Sequence, residues 1–196
     1  MKSMMKDAVI LFAITLIAGL LLGVVYEVTK EPIEIQQAKR KNEACKEVFQ
    51  DAVNFEALEL SMPETGEKAS ATINGVSAAV AEDGTVLGYV LDITTHEGYN
   101  GDIQFTMGIR MDGTVNGISL LSISETPGLG MKAEEVLKPQ FAEKNVGKFT
   151  YTKTGAVTSD EIDAISGATI TTNAVVNGVN AGLECFKNEL GGGVNE

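Results

Sequence analysis

Residues 77–95 read "SAAVAEDGTVLGYVLDITT" and residues 103–123 read "IQFTMGIRMDGTVNGISLLSI". Each sets an Asp-Gly pair between two apolar runs rich in β-branched side chains, the pattern of a β-hairpin. The two also repeat one another: "DGTVLGY" at 83–89 and "DGTVNGI" at 112–118. Asp-Gly suits a type I′ turn, in which both central residues take positive φ. The reading is two hairpins, about four antiparallel strands, joined by "HEGYNGD" at 96–102.

The pattern changes downstream. Residues 131–146, "MKAEEVLKPQFAEKNV", read as a helix broken at Pro139, with a short strand at 148–152. From 171 to 190, Ala174, Val175, Gly178, Val179, Gly182, Leu183 and Phe186 recur three and four apart, giving a helix with one buried face. "GGGVNE" at 191–196 reads as a frayed, flexible tail. Upstream, 60–79 is loop-like in its Pro, Gly and Ser content. Residues 33–50, "IEIQQAKRKNEACKEVFQ", are rich in helix formers and read as a helix that either continues the apolar span or closely follows it, with Pro32 as a candidate first turn.

Residues 8–26, "AVILFAITLIAGLLLGVVY", carry no charge and are long enough to cross a hydrocarbon core. A signal peptide is the competing reading, but the run exits into "EVTKEPIEIQQ" without a small-residue cleavage site. Lys2 and Lys6 precede the span, whereas Glu27, Lys30, Glu31 and Glu34 follow it. That asymmetry places the N-terminus in the cytoplasm and the globular part on the extracytoplasmic face. The division is then a tip at 1–7, a transmembrane helix at 8–26, a membrane-proximal helix and loop at 27–76, a domain at 77–190 and the tail. The fold class is α+β: a single N-terminal transmembrane helix, then one domain with a twisted antiparallel sheet and packed helices.

The balance of 15 Lys+Arg against 27 Asp+Glu, a net charge of −12, argues against nucleic acid and anionic lipid as partners. Cys45 and Cys185 are too few for an iron–sulfur cluster or zinc site made by this chain alone. They read either as one disulfide or as two unpaired thiols on helices. His96 reads as a polar residue near a strand end, and no metal site is expected. No G-x-G-x-x-G nucleotide motif is present.

Two stretches of small residues carry chemistry. In "DAISGATITT" at 163–172, Ser166, Gly167, Ala168, Thr169, Thr171 and Thr172 precede or open the last helix. A helix N-terminus exposes unpaired N–H groups and a partial positive charge, and thin residues there let an anion approach. A plain turn with an N-cap is the other reading. In "ETPGLG" at 125–130, Glu125, Thr126, Pro127, Gly128, Leu129 and Gly130 form a Pro-Gly turn, of type II if Gly128 has positive φ.

"GYNGDI" at 98–103, "ETPGLG" at 125–130 and "DAISGAT" at 163–169 resemble, in order, the motifs of the FMN-binding domain family. With one N-terminal span, the chain is similar to the branch formed by the G subunits of Rnf electron-transport complexes. The C subunits of sodium-translocating NADH:quinone reductases are a related alternative. The resemblance implies FMN attached covalently through a phosphoester bond to the last threonine of D-x-x-[ST]-G-A-T, here Thr169. A separate flavin transferase makes that bond from FAD. It implies that Glu125 to Gly130 line the ring slot, with Leu129 against the ring and Thr126 donating to it. Tyr99 is either a further contact or an exposed aromatic at a strand connection. Helix N–H groups and the hydroxyls of Ser166, Thr171 and Thr172 would stabilise the phosphate. Asp163 belongs to the transferase recognition signal or caps the local turn. Met131-Lys132 departs from the Asp-Lys of many relatives.

The resemblance further implies an electron-carrying subunit of an ion-translocating ferredoxin:NAD+ oxidoreductase, not catalytic alone. Its partners would be integral membrane, iron–sulfur and NADH-binding subunits. A rival of another class is a non-redox anchored binding domain whose Ser-Gly-Ala-Thr merely caps a helix.

Overall fold

The computed structural model describes residues 2–59 and 70–191, the side chains of Lys2 and Ser3 excepted. Met1, the 60–69 part of the expected loop and residues 192–196 of the expected tail lie outside the described residues.

Helix α1 (Lys2–Val48) runs without interruption through the apolar stretch and past Pro32. Of the two expected arrangements the helix continues the apolar span, and Pro32 sits inside it rather than in a first turn. A proline removes one intrahelical bond, and the helix formers on either side carry the helix through. The helix is long and apolar enough to cross a membrane. Within the apolar stretch, the Thr15 hydroxyl donates to Leu11 O at 3.0 Å, so it is satisfied by its own helix.

The chain divides into two units, Met1–Arg40 and Lys41–Glu196. The second holds an antiparallel sheet of β1 (Asn54–Leu58), β2 (Ala71–Val80), β3 (Val86–Thr95), β4 (Ile103–Arg110) and β5 (Val115–Ser122), paired in chain order. After β5 come α2 (Ala133–Val136), β6 (Thr150–Thr152), β7 (Glu161–Asp163) and α3 (Thr169–Glu189).

Successive side chains on a strand point to opposite faces, so a sheet with two apolar faces needs two covers. Leu91 and Ile93 of β3 and Phe105, Met107 and Ile109 of β4 share one core with Val175, Val179, Leu183 and Phe186 of α3. A second cluster joins Cys45, Val48, Phe49 and Ala52, at and just after the end of α1, to Ala79 of β2 and Val90 of β3. Two acidic residues under this second cover are paired. Buried Asp92 meets Lys41 Nζ at 2.8 Å and Gln104 Nε2 at 2.9 Å. Glu47 accepts from Ser119 Oγ at 2.5 Å and from Lys138 Nζ at 2.6 Å. Both cysteines are free, and they lie with different clusters, so the disulfide reading falls.

Several sequence expectations change. The hairpin turns are not type I′. Gly84 and Gly113 take positive φ (83° each), but neither Asp83 nor Asp112 does. Gly84 N–H donates to Ala81 O and Ala81 N–H to Thr85 O, and Arg110 to Thr114 repeats this pattern. These are three-residue loops with glycine at a bulge. Each aspartate accepts the N–H of the threonine two residues on, at 2.9 Å, which holds both carboxyls below their usual range.

The sheet also begins upstream of 77, because β2 starts at Ala71 and β1 adds a fifth strand. β1 is an edge strand with almost every residue exposed, so it carries no alternation to read. The expected 131–146 helix is a short turn at Gly130–Lys132, α2, which ends at Val136, and a second short turn at Lys138–Phe141 with Pro139 near its start. The short strand, β6, pairs in parallel with β7. The last helix opens at Thr169, two residues before the periodic run.

Two outcomes follow from this packing. A Cβ on Gly88 would lie 2.2 Å from Ile109 O and 2.7 Å from a Phe49 ring carbon, whereas one on Gly75 meets nothing within 4 Å. Chemical denaturation of the full chain in detergent will place Gly88→Ala about 3 kcal/mol below wild type. Gly75→Ala will lie within about 0.5 kcal/mol of it. Equal values for the two variants would mean that the sheet is not packed this tightly.

The second outcome concerns charge. Burial alone would lower the Lys138 pKa, but its bonds to Glu134 and Glu47 outweigh burial and raise it. Its stabilisation is complete below the unfolded lysine value and is lost as pH rises through the raised folded one. Lys138→Met will be about 1 kcal/mol less stable at pH 7. That gap will close on titration into the alkaline range. A gap independent of pH would assign the effect to packing.

Candidate cofactor site

Three segments distant in sequence meet at one end of the sheet. The β3–β4 loop brings Tyr99, the segment after β5 brings Glu125, Thr126, Leu129 and Gly130, and the start of α3 brings Gly167 to Thr171. Together they line a cleft of about 470 Å³. None of these lining residues is basic.

The two walls are built by the same local device. In Thr126-Pro127-Gly128-Leu129, Leu129 N–H donates to Thr126 O at 3.1 Å, with Gly128 at φ 78°. In Ile165-Ser166-Gly167-Ala168, Ala168 N–H donates to Ile165 O at 3.0 Å, with Gly167 also at φ 78°. Positive φ at the third turn position is the type II pattern, and glycine supplies it without strain. The second turn delivers the chain directly into α3. No side chain caps that helix, and the first N–H groups of a helix have no acceptor within it.

The hydroxyls along this helix start have different fates. Thr171 is 1% exposed, and its hydroxyl donates to Glu125 Oε2 at 3.0 Å. Thr172 is fully buried; its hydroxyl donates to Ala168 O and accepts from Ile165 N–H. The expected role of these two hydroxyls as phosphate donors does not fit, because both are already engaged inside the protein. Ser166 is exposed on its turn and does not line the cleft. Thr169 is half-buried, lines the cleft, and its hydroxyl has no hydrogen bond among the described residues.

Glu125 is 5% exposed. Its second oxygen accepts Asn100 N–H at 3.3 Å, and the Asn100 side chain donates to Ser124 O at 2.8 Å. The β3–β4 loop is thus tied to the segment after β5. Tyr99 lines the cleft and is also 68% exposed. Pro127 and Gly128 form the exposed outside of their turn and do not line the cleft.

The Asp163 carboxylate accepts Ala156 N–H at 2.6 Å, a local structural contact. Ile170 lines the cleft and was missed by the sequence; its only signal is an apolar residue, 52% exposed, at the second position of a helix. Asn100 was likewise missed, although it lies inside "GYNGDI".

Residues 98–184, which span every lining residue, match the family described as FMN-binding domain. Residues 1–48, the whole of α1, match the RnfG N-terminal region. The chain is 33% identical to the G subunit of the Na(+)-translocating ferredoxin:NAD(+) oxidoreductase complex of Acetobacterium woodii, over 95% of this chain and 93% of the relative. It is also 33% identical to the G subunit of the ion-translocating oxidoreductase complex of Methanosarcina acetivorans, over 93% and 94%. The proton-translocating counterpart of Clostridium ljungdahlii is 29% identical, over 95% and 97%. In fold, the chain is similar to the crystal structure of Shewanella oneidensis NqrC, with a TM-score of 0.51, 21% identity and coverage of 71% and 70%. The apolar part of α1 is accordingly a membrane anchor, and the chain belongs to the family of G subunits of the Rnf ion-translocating oxidoreductase complexes.

Proposed function

We propose that this chain carries FMN, joined through a phosphoester bond to Thr169, and relays electrons within an ion-translocating ferredoxin:NAD+ oxidoreductase complex. The observation that carries the attachment site is the contrast among three threonines. Of these three, Thr171 and Thr172 are buried with their hydroxyls engaged, and Thr169 lines the cleft with a hydroxyl that has no hydrogen bond among the described residues. The surroundings fit the group. The uncapped first turn of α3 supplies N–H donors and a partial positive charge for a phosphoryl group in an acidic protein. Leu129, Ile170 and Tyr99 offer apolar surface for a flat ring.

Bound FMN takes up and releases electrons, and this chain's residues hold it and set its surroundings. A flavin transferase supplies the FMN from FAD. Integral membrane, iron–sulfur and NADH-binding subunits are the partners. The C subunit of a sodium-translocating NADH:quinone reductase is the weaker alternative, because the relatives similar over the whole chain are G subunits of Rnf-type complexes.

Thr169→Val will abolish covalent flavin in the full chain co-expressed with a flavin transferase. Its stability will fall by about 1 kcal/mol or less, since one half-buried hydroxyl is lost. In-gel flavin fluorescence after denaturation, with peptide mapping of the wild type, reads this. Flavin on Thr171 or Thr172 would move the site.

The lysines before the span and glutamates after it support a globular domain on the extracytoplasmic face. Protease added to intact spheroplasts will remove a C-terminal epitope from the full chain. Protection until lysis would reverse the orientation.

A further inference from the structure

We propose that Glu125 is a positioning residue. Its buried carboxylate holds the Thr171 hydroxyl, and through that one bond it fixes the first turn of α3 so that Thr169 is presented to the cleft. This rests on the reading of Thr169 as the flavin acceptor and adds what determines that choice.

An ionised carboxylate only accepts hydrogen bonds, and one buried in a protein ordinarily has a cationic partner. Glu125 has none among the described residues; its oxygens meet two neutral donors, Asn100 N–H and the Thr171 hydroxyl. These donors come from two different segments, so the carboxylate ties the β3–β4 loop and the start of α3 to the segment after β5. The bond to Thr171 links residues 46 apart in the chain.

The surroundings admit little slack. A Cβ on Gly130 would lie 2.6 Å from Thr171 Oγ1, 2.7 Å from Glu125 Cβ and 2.8 Å from Glu125 Oε2. The helix start has no side-chain cap of its own to hold it. Thr172 ties the helix only to its own preceding turn, through Ile165 and Ala168. The Glu125–Thr171 bond therefore anchors turn and helix together to the opposite wall. It also occupies the hydroxyl that would otherwise compete with Thr169 as an acceptor.

The test uses the full chain in detergent, purified transferase and FAD. It reads the rate of covalent flavin incorporation, the modified residue by peptide mapping, and hydrogen exchange in the flavin-free protein. Glu125→Ala and Thr171→Val will each slow incorporation by roughly tenfold or more, the usual result of misplacing a reacting group. The double variant will be no slower than the worse single one, because both remove the same bond. Glu125→Gln keeps an acceptor for Thr171 and will stay within about threefold of wild type.

Amides of residues 170–175 will exchange faster in Glu125→Ala and Thr171→Val, but not in Glu125→Gln, while β3 and β4 stay protected. Should Glu125→Ala fail to fold, the near-isosteric Thr171→Val tests the same bond. Wild-type rate with flavin only on Thr169 in both single variants would overturn the proposal. So would multiplying effects, unchanged exchange at the helix start, or a Glu125→Gln variant as slow as Glu125→Ala. A wild type that takes flavin elsewhere, or not at all, sinks the attachment reading instead, and the exchange data still decide the positioning role.

Discussion

Covering both faces of a single antiparallel sheet is the constraint from which the rest of this domain follows. One cover is α3, whose apolar stripe meets β3 and β4 in the larger core. The other is the end of α1, carrying Val48 and Phe49 onto Ala79 and Val90. The second cover is thinner and depends on close approach. Phe49 reaches the backbone at Gly88, and Val48 that at Gly108. Its polar edge is closed by ion pairs to Asp92 and Glu47 rather than by more apolar area. Thus the helix that begins in the membrane anchor ends as part of the domain's own packing.

The cleft forms where α3 starts and the sheet's connecting segments end. Nothing in it resembles an acid–base pair aimed at a substrate. Its walls are turn backbone, small residues and apolar side chains, and its one buried carboxyl group meets neutral donors. Such a lining suits binding and placement of a group that brings its own chemistry.

Much of this was legible in the sequence, and the failures have physical causes. The hairpins could be read because Asp-Gly pairs separated apolar runs, but the turn type could not. The aspartates reach their threonine N–H groups from ordinary negative φ, and only the glycines need the left-handed region. β1 was invisible because an exposed edge strand has no buried face to impose a period. The start of α3 was placed late because Thr169 and Ile170 are β-branched and break the apolar stripe. At the site, the motifs identified the segments and most of the lining. They could not say which hydroxyls were free. That depends on Glu125, far away in the chain, and on backbone groups whose positions only the fold supplies.

The order of elements along the chain has a consequence for biosynthesis. The sheet is a simple meander in which every strand pairs with its sequence neighbour, a local topology that can form early as the chain emerges. α3 follows all five strands of that sheet in the chain, and one wall of the cleft belongs to its first turn. Until that helix emerges and docks, the larger core stands open and the cleft has only two of its three sides. A group that needs all three sides of the cleft can be held only once α3 has docked against the sheet.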